Sequence, residues 1–184
     1  MSSSLSYLVN ALGDLYLLAF LLRFLLHWVR ADFYNPFTQA IVQITNPLVR
    51  PAARFIPTSR SVDVPTVAVL VLLEGILTWL LLSIGDIPSG MLAPFPLLIL
   101  FRLISLALWF YSVSILIYVI LSWVGPGTRH PIAVVLADLN EPILRPARRI
   151  LPTIGGLDLS PLLVLIIVQA AYRLLPLPNL LAPF

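Results

Sequence analysis

The sequence predicts an all-α integral membrane protein. We expect four transmembrane helices in two tandem repeats of the same orientation, each with amphipathic interfacial helices in its cytoplasmic loop. The composition supports this class, because 60% of residues are hydrophobic and 10% are charged, against about 45–50% and about 25% in soluble domains. The mean hydropathy of +1.01 and a proline- and arginine-rich segment that occurs twice also favour a membrane protein built from repeats.

The repeat aligns residues 16–63 with residues 111–158 at a shift of 95 positions and without a gap. Fourteen of the 48 aligned positions are identical, and they include prolines, arginines and one aspartate rather than leucines alone. Chance similarity between leucine-rich segments does not produce such identities, so the pattern indicates a duplication. We therefore expect two domains, a first repeat over residues 1–90 and a second over residues 91–184.

Four apolar segments are predicted to span the membrane, over about residues 5–29, 64–84, 96–124 and 159–176. A helix needs about 20 residues to cross a bilayer, so the third is long enough to tilt and the fourth is short. No basic residue precedes Arg23. Because a cleavable secretory signal begins with a positive region, the first segment is expected to be retained.

The arginines predict the topology. Both long loops, 30–63 and 125–158, contain four arginines, whereas the middle loop contains none. The positive-inside rule then puts both long loops in the cytoplasm and both termini outside. The two repeats would share one orientation, related by a pseudo-two-fold axis along the membrane normal.

Each long loop is predicted to contain interfacial helices, over residues 35–57 and 130–152. Asn35 precedes Pro36 as a helix N-cap precedes a first-turn proline. In the second loop, apolar residues recur at helical spacing, at Ile132, Val135, Leu136, Leu139 and Ile143.

Prolines are expected to divide each interfacial segment into two short helices. Pro47 and Pro142 lack the amide N–H of a helix interior and are predicted to interrupt the first helix. Pro51 and Pro146 are predicted to begin the second one.

Arginines four residues apart share one face of each second helix, and apolar residues lie between them. Such a helix lies in the interface plane and attracts anionic headgroups. The alternative is that these arginines only fix the topology. The predicted lipid- or partner-binding residues are Arg50, Arg54, Arg145, Arg148 and Arg149.

Ionisable residues inside the predicted spans indicate a pairing or a function, because isolated charges there are costly. At 1.5 Å per residue, Arg23 and Glu74 lie at similar depths and are predicted to pair. Their counterparts in the second repeat are Tyr118 and Gln169, which would form a neutral pair. The alternatives are an ion or proton path, and an Arg23 side chain that extends to the interface alone.

Two further assignments concern three other acidic residues. Asp63 and Asp158 immediately precede the second and fourth spans, where a carboxylate caps a helix N-terminus; cation capture is the alternative. Asp14 is predicted to pair with Arg173 in the outer half of the membrane. Arg102 lies nearer the outer boundary.

The two copies of P-x-x-R-P-A-x-R-x-x-P-T, the run D-F-Y-N-P-F at 32–37 and G-G-L-D-L-S-P at 155–161 closely resemble the bacterial YggT family. Its plastid and cyanobacterial relatives are called YlmG-like. The resemblance implies a bacterial inner-membrane protein of duplicated two-span modules. Roles linked to such relatives are osmotic or ion-stress tolerance, membrane organisation and division, and plastid cytochrome assembly.

Motifs for chemistry are missing from the sequence. Cysteine is absent, which excludes thiol catalysis and cysteine-based metal sites, and the histidines, His27 and His130, are not repeat counterparts. We expect no enzyme activity, no metal or other cofactor and no nucleic-acid partner. The predicted function is a scaffold or assembly factor that contacts anionic lipid or a membrane partner. The alternative is an oligomeric channel or transporter-like protein, so self-association is a further expectation.

Overall fold

The computed structural model describes residues 2–57, 62–84, 94–124, 130–151, 158–178 and 181–183. This part of the chain is helical, apart from turns and a short 3₁₀ segment. Its α-helices are α1 (Ser2–Trp28), α2 (Pro36–Ala53), α3 (Val64–Ile84), α4 (Phe95–Val124), α5 (Pro131–Ile150) and α6 (Ser160–Arg173).

Three of these helices are long and apolar enough to cross a membrane: Ser4–Trp28 in α1, all of α3, and Phe95–Ser122 in α4. Helix α6 is apolar but has 14 residues, fewer than the about 20 that span a bilayer. The fourth predicted segment extended to Pro176, whereas the helix ends at Arg173. Helix α3 has the bounds that the apolar pattern predicted.

The end of α1 turns the chain toward α2. Arg30 adopts a left-handed backbone with φ of 55°. The Arg30 amide donates to His27 O at 3.2 Å and the Ala31 amide to Leu26 O at 2.9 Å, which is the Schellman pattern that satisfies the last carbonyls of a helix. A non-glycine residue in this position is uncommon, so this turn could not be predicted from the residue type.

Helices α2 and α5 correct the prediction that Pro47 and Pro142 split each segment into two helices. Each helix is continuous, with Pro47 and Pro51 inside α2 and Pro142 and Pro146 inside α5. All four proline rings are exposed, so the carbonyls that lose their amide partners lie toward the polar surroundings. The opposite face is anchored by burial, and a proline there would have left an unsatisfied carbonyl in the core.

The buried face of α2 contains two hydroxyl side chains rather than a purely apolar stripe: its buried residues are Thr38, Ile41, Thr45 and Val49. Ile132, the first residue of the apolar stripe that the spacing predicts in the second loop, is 40% exposed. The buried residues of α5 are Val135, Leu136, Leu139, Asn140, Leu144 and Ala147.

Packing brings α1 against α3 and α4 against α6, and α2 and α5 contact the helices of their own half of the chain. The larger core cluster joins the halves through Phe20, Leu81, Leu98 and Leu106. The N-termini of α2 and α5 also meet, because the Asn35 side-chain amide donates to Pro131 O at 2.9 Å. Helices α2 and α5 therefore form one connected unit.

Gly13 permits the close approach of α1 and α3. A Cβ added there would lie 2.5 Å from a terminal methyl of Leu77, so we expect Gly13→Ala to cost about 1–3 kcal/mol of unfolding free energy through overpacking. Gly75→Ala is the matched control, because its Cβ would meet Ile99 at an ordinary 3.4 Å. Denaturant unfolding followed by tryptophan fluorescence measures both. Equal destabilisation by the two variants would contradict the packing argument.

Candidate functional site

Arg102 is the centre of a buried polar cluster between α1, α3 and α4. Its side chain is 2% exposed. The guanidinium donates to a Glu74 carboxylate oxygen, to Asp14 Oδ1 at 2.9 Å and to Asn10 Oδ1 at 3.1 Å. It also donates to the backbone oxygen of Leu181 at 2.7 Å. One cation thus ties three helices and the C-terminal segment together.

The carboxylates of this cluster outnumber the cation. Glu74 and Asp14 are 1% and 2% exposed, and both face the single guanidinium of Arg102. Thr78 donates a further hydrogen bond to Glu74 at 3.0 Å, whereas Asp14 Oδ2 has no hydrogen-bond partner within the described part of the chain. A buried ion pair is held by mutual attraction against a large desolvation penalty, so losing one partner is costly.

The predicted pair of Arg23 with Glu74 is wrong, because Glu74 pairs with Arg102 and Arg23 pairs with Asp63. The predicted pair of Asp14 with Arg173 is also wrong, since Asp14 pairs with Arg102. Glu74 is the eleventh residue of the 21 in α3, so it is equally far from both ends. Depth alone therefore could not decide from which side its cation comes.

Arg23 lies at the other end of α1, in a site shared with α2 and the start of α3. Its guanidinium donates to Asp63 Oδ2 at 3.3 Å, to Thr45 Oγ1 at 2.9 Å and to Asn46 Oδ1 at 2.9 Å. The Arg23 and Asp63 side chains are 15% and 10% exposed. This site fixes α2 to the first pair of long helices.

Arg148 forms the corresponding site in the second half. It donates to Asp158 Oδ2 at 2.9 Å, to Glu141 Oε2 at 2.7 Å and to Tyr118 Oη at 3.3 Å. Burial alone would lower the pKa of Arg148, but its hydrogen bonds outweigh burial and raise that pKa. This arginine, assigned to lipid or partner binding from the sequence, therefore forms ion pairs within the chain, although its side chain is 34% exposed.

The two sites use aligned acceptors and cations from different helices. Asp63 and Asp158 are 95 residues apart, and so are Asn46 and Glu141. Tyr118, which stands at the position of Arg23, bonds to Arg148 instead. Asp63 and Asp158 thus each pair with a guanidinium. The arginine that supplies it lies on α1 in the first half and on α5 in the second.

Asp63 and Asp158 also bind the first amides of α3 and α6. The Thr66 amide donates to Asp63 Oδ1 at 3.3 Å, three residues into the helix as an N-cap requires. The Ser160 amide donates to Asp158 Oδ1 at 2.9 Å, although Leu159 occupies the N-cap position of α6. Burial would raise the pKa of Asp158, but the bonds from Ser160 and Arg148 lower it. Its contribution to stability is accordingly present above the ordinary pKa of 3.8 and lost as the pH falls through the lowered one.

The other four arginines of the predicted binding set are exposed on α2, just after its end, and on α5: Arg50, Arg54, Arg145 and Arg149. None of them forms an ion pair within the described part of the chain. In the first half, Arg50 and Arg54 border a shallow cleft of about 530 Å³ together with Gln43 and two prolines.

A second cleft, of about 380 Å³, opens between α4 and α6. Gln169, the counterpart of Glu74, lies in it rather than beside Tyr118. The cleft is lined by Trp109, Ser112, Val113, Leu116, Leu165, Gln169, Tyr172 and Arg173.

The histidines have separate local roles. His130 caps α5, since its Nδ1 accepts from the Ile132 amide at 3.4 Å, and His27 lies in the last turn of α1. Over the ranges that the structure describes, no group of three or more His, Cys, Asp or Glu side chains is placed to hold a metal ion.

Comparison with known proteins gives one family. The CCB3/YggT family model matches residues 2–84 and residues 97–179. An uncharacterized protein from the proC 3′ region of Vibrio alginolyticus is 43% identical over 172 residues, or 92% of this chain and 91% of the relative. The uncharacterized protein YggT of Escherichia coli K12 is 36% identical, over 90% of this chain and 86% of the relative.

No solved structure matches the chain. An uncharacterized protein of Pseudomonas aeruginosa is 40% identical over 157 residues, or 85% of this chain and 80% of the relative. The family model and these relatives cover most of the sequence, including the segments that contain the arginine sites. The chain therefore belongs to the CCB3/YggT family.

Proposed function

We propose that this protein is a non-enzymatic scaffold or assembly factor of the bacterial inner membrane, whose α2 and α5 bind anionic lipid headgroups on the cytoplasmic side. In this proposal α1, α3, α4 and α6 are four spans of two same-orientation repeats, with the termini outside. Helix α6 is short for a span, and in this proposal the non-helical residues Leu174 to Pro178 complete the crossing. The arginine count of the long loops supports the orientation.

The observation that carries the proposal is the division of α2 and α5 into two faces. One face of each helix is buried against the long helices, so the helices are held along the bundle rather than projecting from it. The other face exposes the prolines and the four arginines. Each arginine near an anionic membrane surface is worth about 1 kcal/mol.

The separation of Arg148 from the other four arginines sharpens the proposal. A purely structural role would be served by arginines that pair within the protein, as Arg148 does. Arg50, Arg54, Arg145 and Arg149 instead present their charge outward, where lipid phosphate is the anion that this proposal supplies. We therefore assign headgroup contact to these four residues.

A charge-reversal experiment tests the assignment. The quadruple variant Arg50→Glu, Arg54→Glu, Arg145→Glu and Arg149→Glu is purified from membranes, and the phosphatidylglycerol and cardiolipin that remain bound are quantified by mass spectrometry. We expect roughly a tenfold loss or more of retained anionic lipid, because four attractions become repulsions. Replacing the same four residues by lysine keeps the charge and is expected to preserve most of the retention.

Two controls separate this result from misfolding and from a general charge effect. Arg173→Glu makes the same type of change at the far end of α6 and is expected to leave retention unaltered. Thermal unfolding must stay near that of the wild type. Undiminished lipid retention in the folded quadruple variant would refute the headgroup role.

Proteoliposome flux distinguishes the scaffold from an oligomeric channel. Within the described helices, the buried carboxylates of Asp14 and Glu74 converge on one guanidinium instead of forming a file across the bundle. We therefore expect ion leakage from loaded vesicles to equal that of empty vesicles. A selective flux that rises with protein density would replace the scaffold proposal with the channel.

A further inference from the structure

The cleft between α4 and α6 has a filled counterpart in the first half of the chain. At a shift of 95, its lining residues correspond to Asp14, Leu17, Leu18, Leu21, Leu70, Glu74, Leu77 and Thr78. All of these except Leu18 are buried. In the second half, by contrast, Leu116, Gln169 and Arg173 are exposed and the other lining residues are half-buried.

Helix α4 fills the first-half groove. One stripe of α4 is buried at intervals of four residues: Leu98, Arg102, Leu106 and Phe110 are 2%, 2%, 1% and 8% exposed. Arg102 reaches the groove residues Glu74 and Asp14. Close to it, a Cβ at Gly75 would lie 3.4 Å from Ile99 Cδ1, so α3 and α4 are in direct contact there.

The counterpart of α4 in the first half is α1, and its corresponding stripe is open. Tyr7 and Leu15 stand at the positions of Arg102 and Phe110, and they are 63% and 59% exposed. Ala11, at the position of Leu106, is half-buried. The chain thus has one helix face without a groove and one groove without a helix.

The chemistry of the two open surfaces matches. At the shift of 95, Arg102 and Glu74 correspond to Tyr7 and Gln169. A phenol and an amide are able to form a neutral hydrogen bond. A glutamine that faces lipid tails is costly, and interhelical hydrogen bonds are a usual way to satisfy it. The small Ala170 replaces Gly75 at the point of close approach.

We propose that the protein self-associates head to tail, with α1 of one copy in the α4–α6 groove of the next and Tyr7 bonded to Gln169 across the interface. Between copies, α1 would occupy the α4–α6 groove in the way that α4 occupies the corresponding first-half groove within one copy. Because the two surfaces differ, the interface is heterologous and builds a ring or an open chain of copies rather than a two-fold dimer. Self-association through this groove does not require lipid binding by α2 and α5.

Cysteine crosslinking tests this geometry directly, since the natural chain contains no cysteine. The contact of Ile99 with Gly75 corresponds to Ser4 and Ala170, both exposed. Two differently tagged copies, one with Ser4→Cys and one with Ala170→Cys, are co-expressed and treated in native membranes with a short bis-methanethiosulfonate linker. We expect mixed crosslinks at least fivefold above those between two copies of the same variant.

Leu5→Cys provides the matched control at the same depth of α1. Leu5 and its counterpart Leu100 are 53% and 49% exposed, so this position points away from the groove-filling face. Its crosslinking to Ala170→Cys is expected to stay at background. Equal yields for Leu5→Cys and Ser4→Cys would overturn the proposal, and so would a predominance of crosslinks between identical residues. Crosslinks formed only to another membrane protein would also overturn it.

A second measurement adds substitutions at the proposed hydrogen bond to the two cysteine copies. Tyr7→Phe in the Ser4→Cys copy, or Gln169→Leu in the Ala170→Cys copy, should each lower the mixed crosslink several-fold. Tyr7→Arg in the first copy together with Gln169→Glu in the second should restore it through an ion pair like that of Arg102. The wild type should be oligomeric by photobleaching counts at native density in the membrane. A strictly monomeric wild type would end the proposal whatever the variants do.

Discussion

Replacing Arg102 by methionine is expected to cost about 3–5 kcal/mol of unfolding free energy, because the change leaves two carboxylates buried without their cation. Both Glu74 and Asp14 are nearly inaccessible, so water cannot replace the guanidinium. The change also removes the donors to Leu181 O and to the Asn10 side chain. Among the residues that the structure describes, no other substitution at a buried ion pair removes as many side-chain hydrogen bonds.

The measurement is unfolding in mixed micelles by denaturing detergent, followed through the four tryptophans of the chain. The matched variant combines Arg102→Met with Asp14→Asn and Glu74→Gln, which neutralises the two carboxylates. We expect it to recover more than half of the loss, because an uncompensated charge costs more than a neutral amide. Equal instability of the single and triple variants would show that packing, not charge, holds this cluster.

The second large effect is expected from moving a cation between helices. Arg23→Tyr should cost about 2 kcal/mol, in line with the about 1.5–3 kcal/mol of hydrogen bonds to charged groups. Adding Ala53→Arg should then recover at least half of the loss. Position 53 corresponds to Arg148, and it lies seven residues after Asn46 as Arg148 lies seven residues after Glu141.

The same detergent unfolding assay applies, with the double variant Arg23→Tyr and Ala53→Gln as its control. Glutamine has a long side chain but no charge, so it should recover little. Ala53→Arg alone should be nearly neutral, since Ala53 is exposed. If the arginine and glutamine double variants recover equally, Asp63 and Asp158 do not share one way of binding a guanidinium.

The sequence predicted the helices well because their signals are strong and local. Apolar segments of about 20 residues and polar loops between them are unambiguous, and the N-cap of α2 follows from Asn35 and Pro36. The continuity of α2 and α5 could not be predicted, since proline rules describe an isolated helix. Whether a proline breaks a helix depends on the face on which it lies, and that face is known only after packing.

The ion-pair partners of the charged residues could not be predicted from the local sequence. Depth along a helix axis places a residue to within about one turn, whereas an arginine side chain reaches more than one turn of helix. The sequence predicts capping by Asp63 with cation capture as the alternative, whereas one carboxylate accepts bonds from both an amide and a guanidinium. Arg102 lies near the start of its helix, yet its side chain extends inward to the midpoint of α3.

The contacts of residues 181–183 bear on the order in which the protein is made. Asn10 donates to Ala182 O at 2.9 Å across 172 residues of sequence, and Arg102 completes its bonds at Leu181 O. At a synthesis rate of about 5–20 residues per second, the first helix waits on the order of ten to thirty seconds for this segment. Asp14 meanwhile enters the membrane 88 residues ahead of its cation. We therefore expect the insertion machinery to retain α1 until α4 arrives, so that the first two spans are released into lipid together with the third.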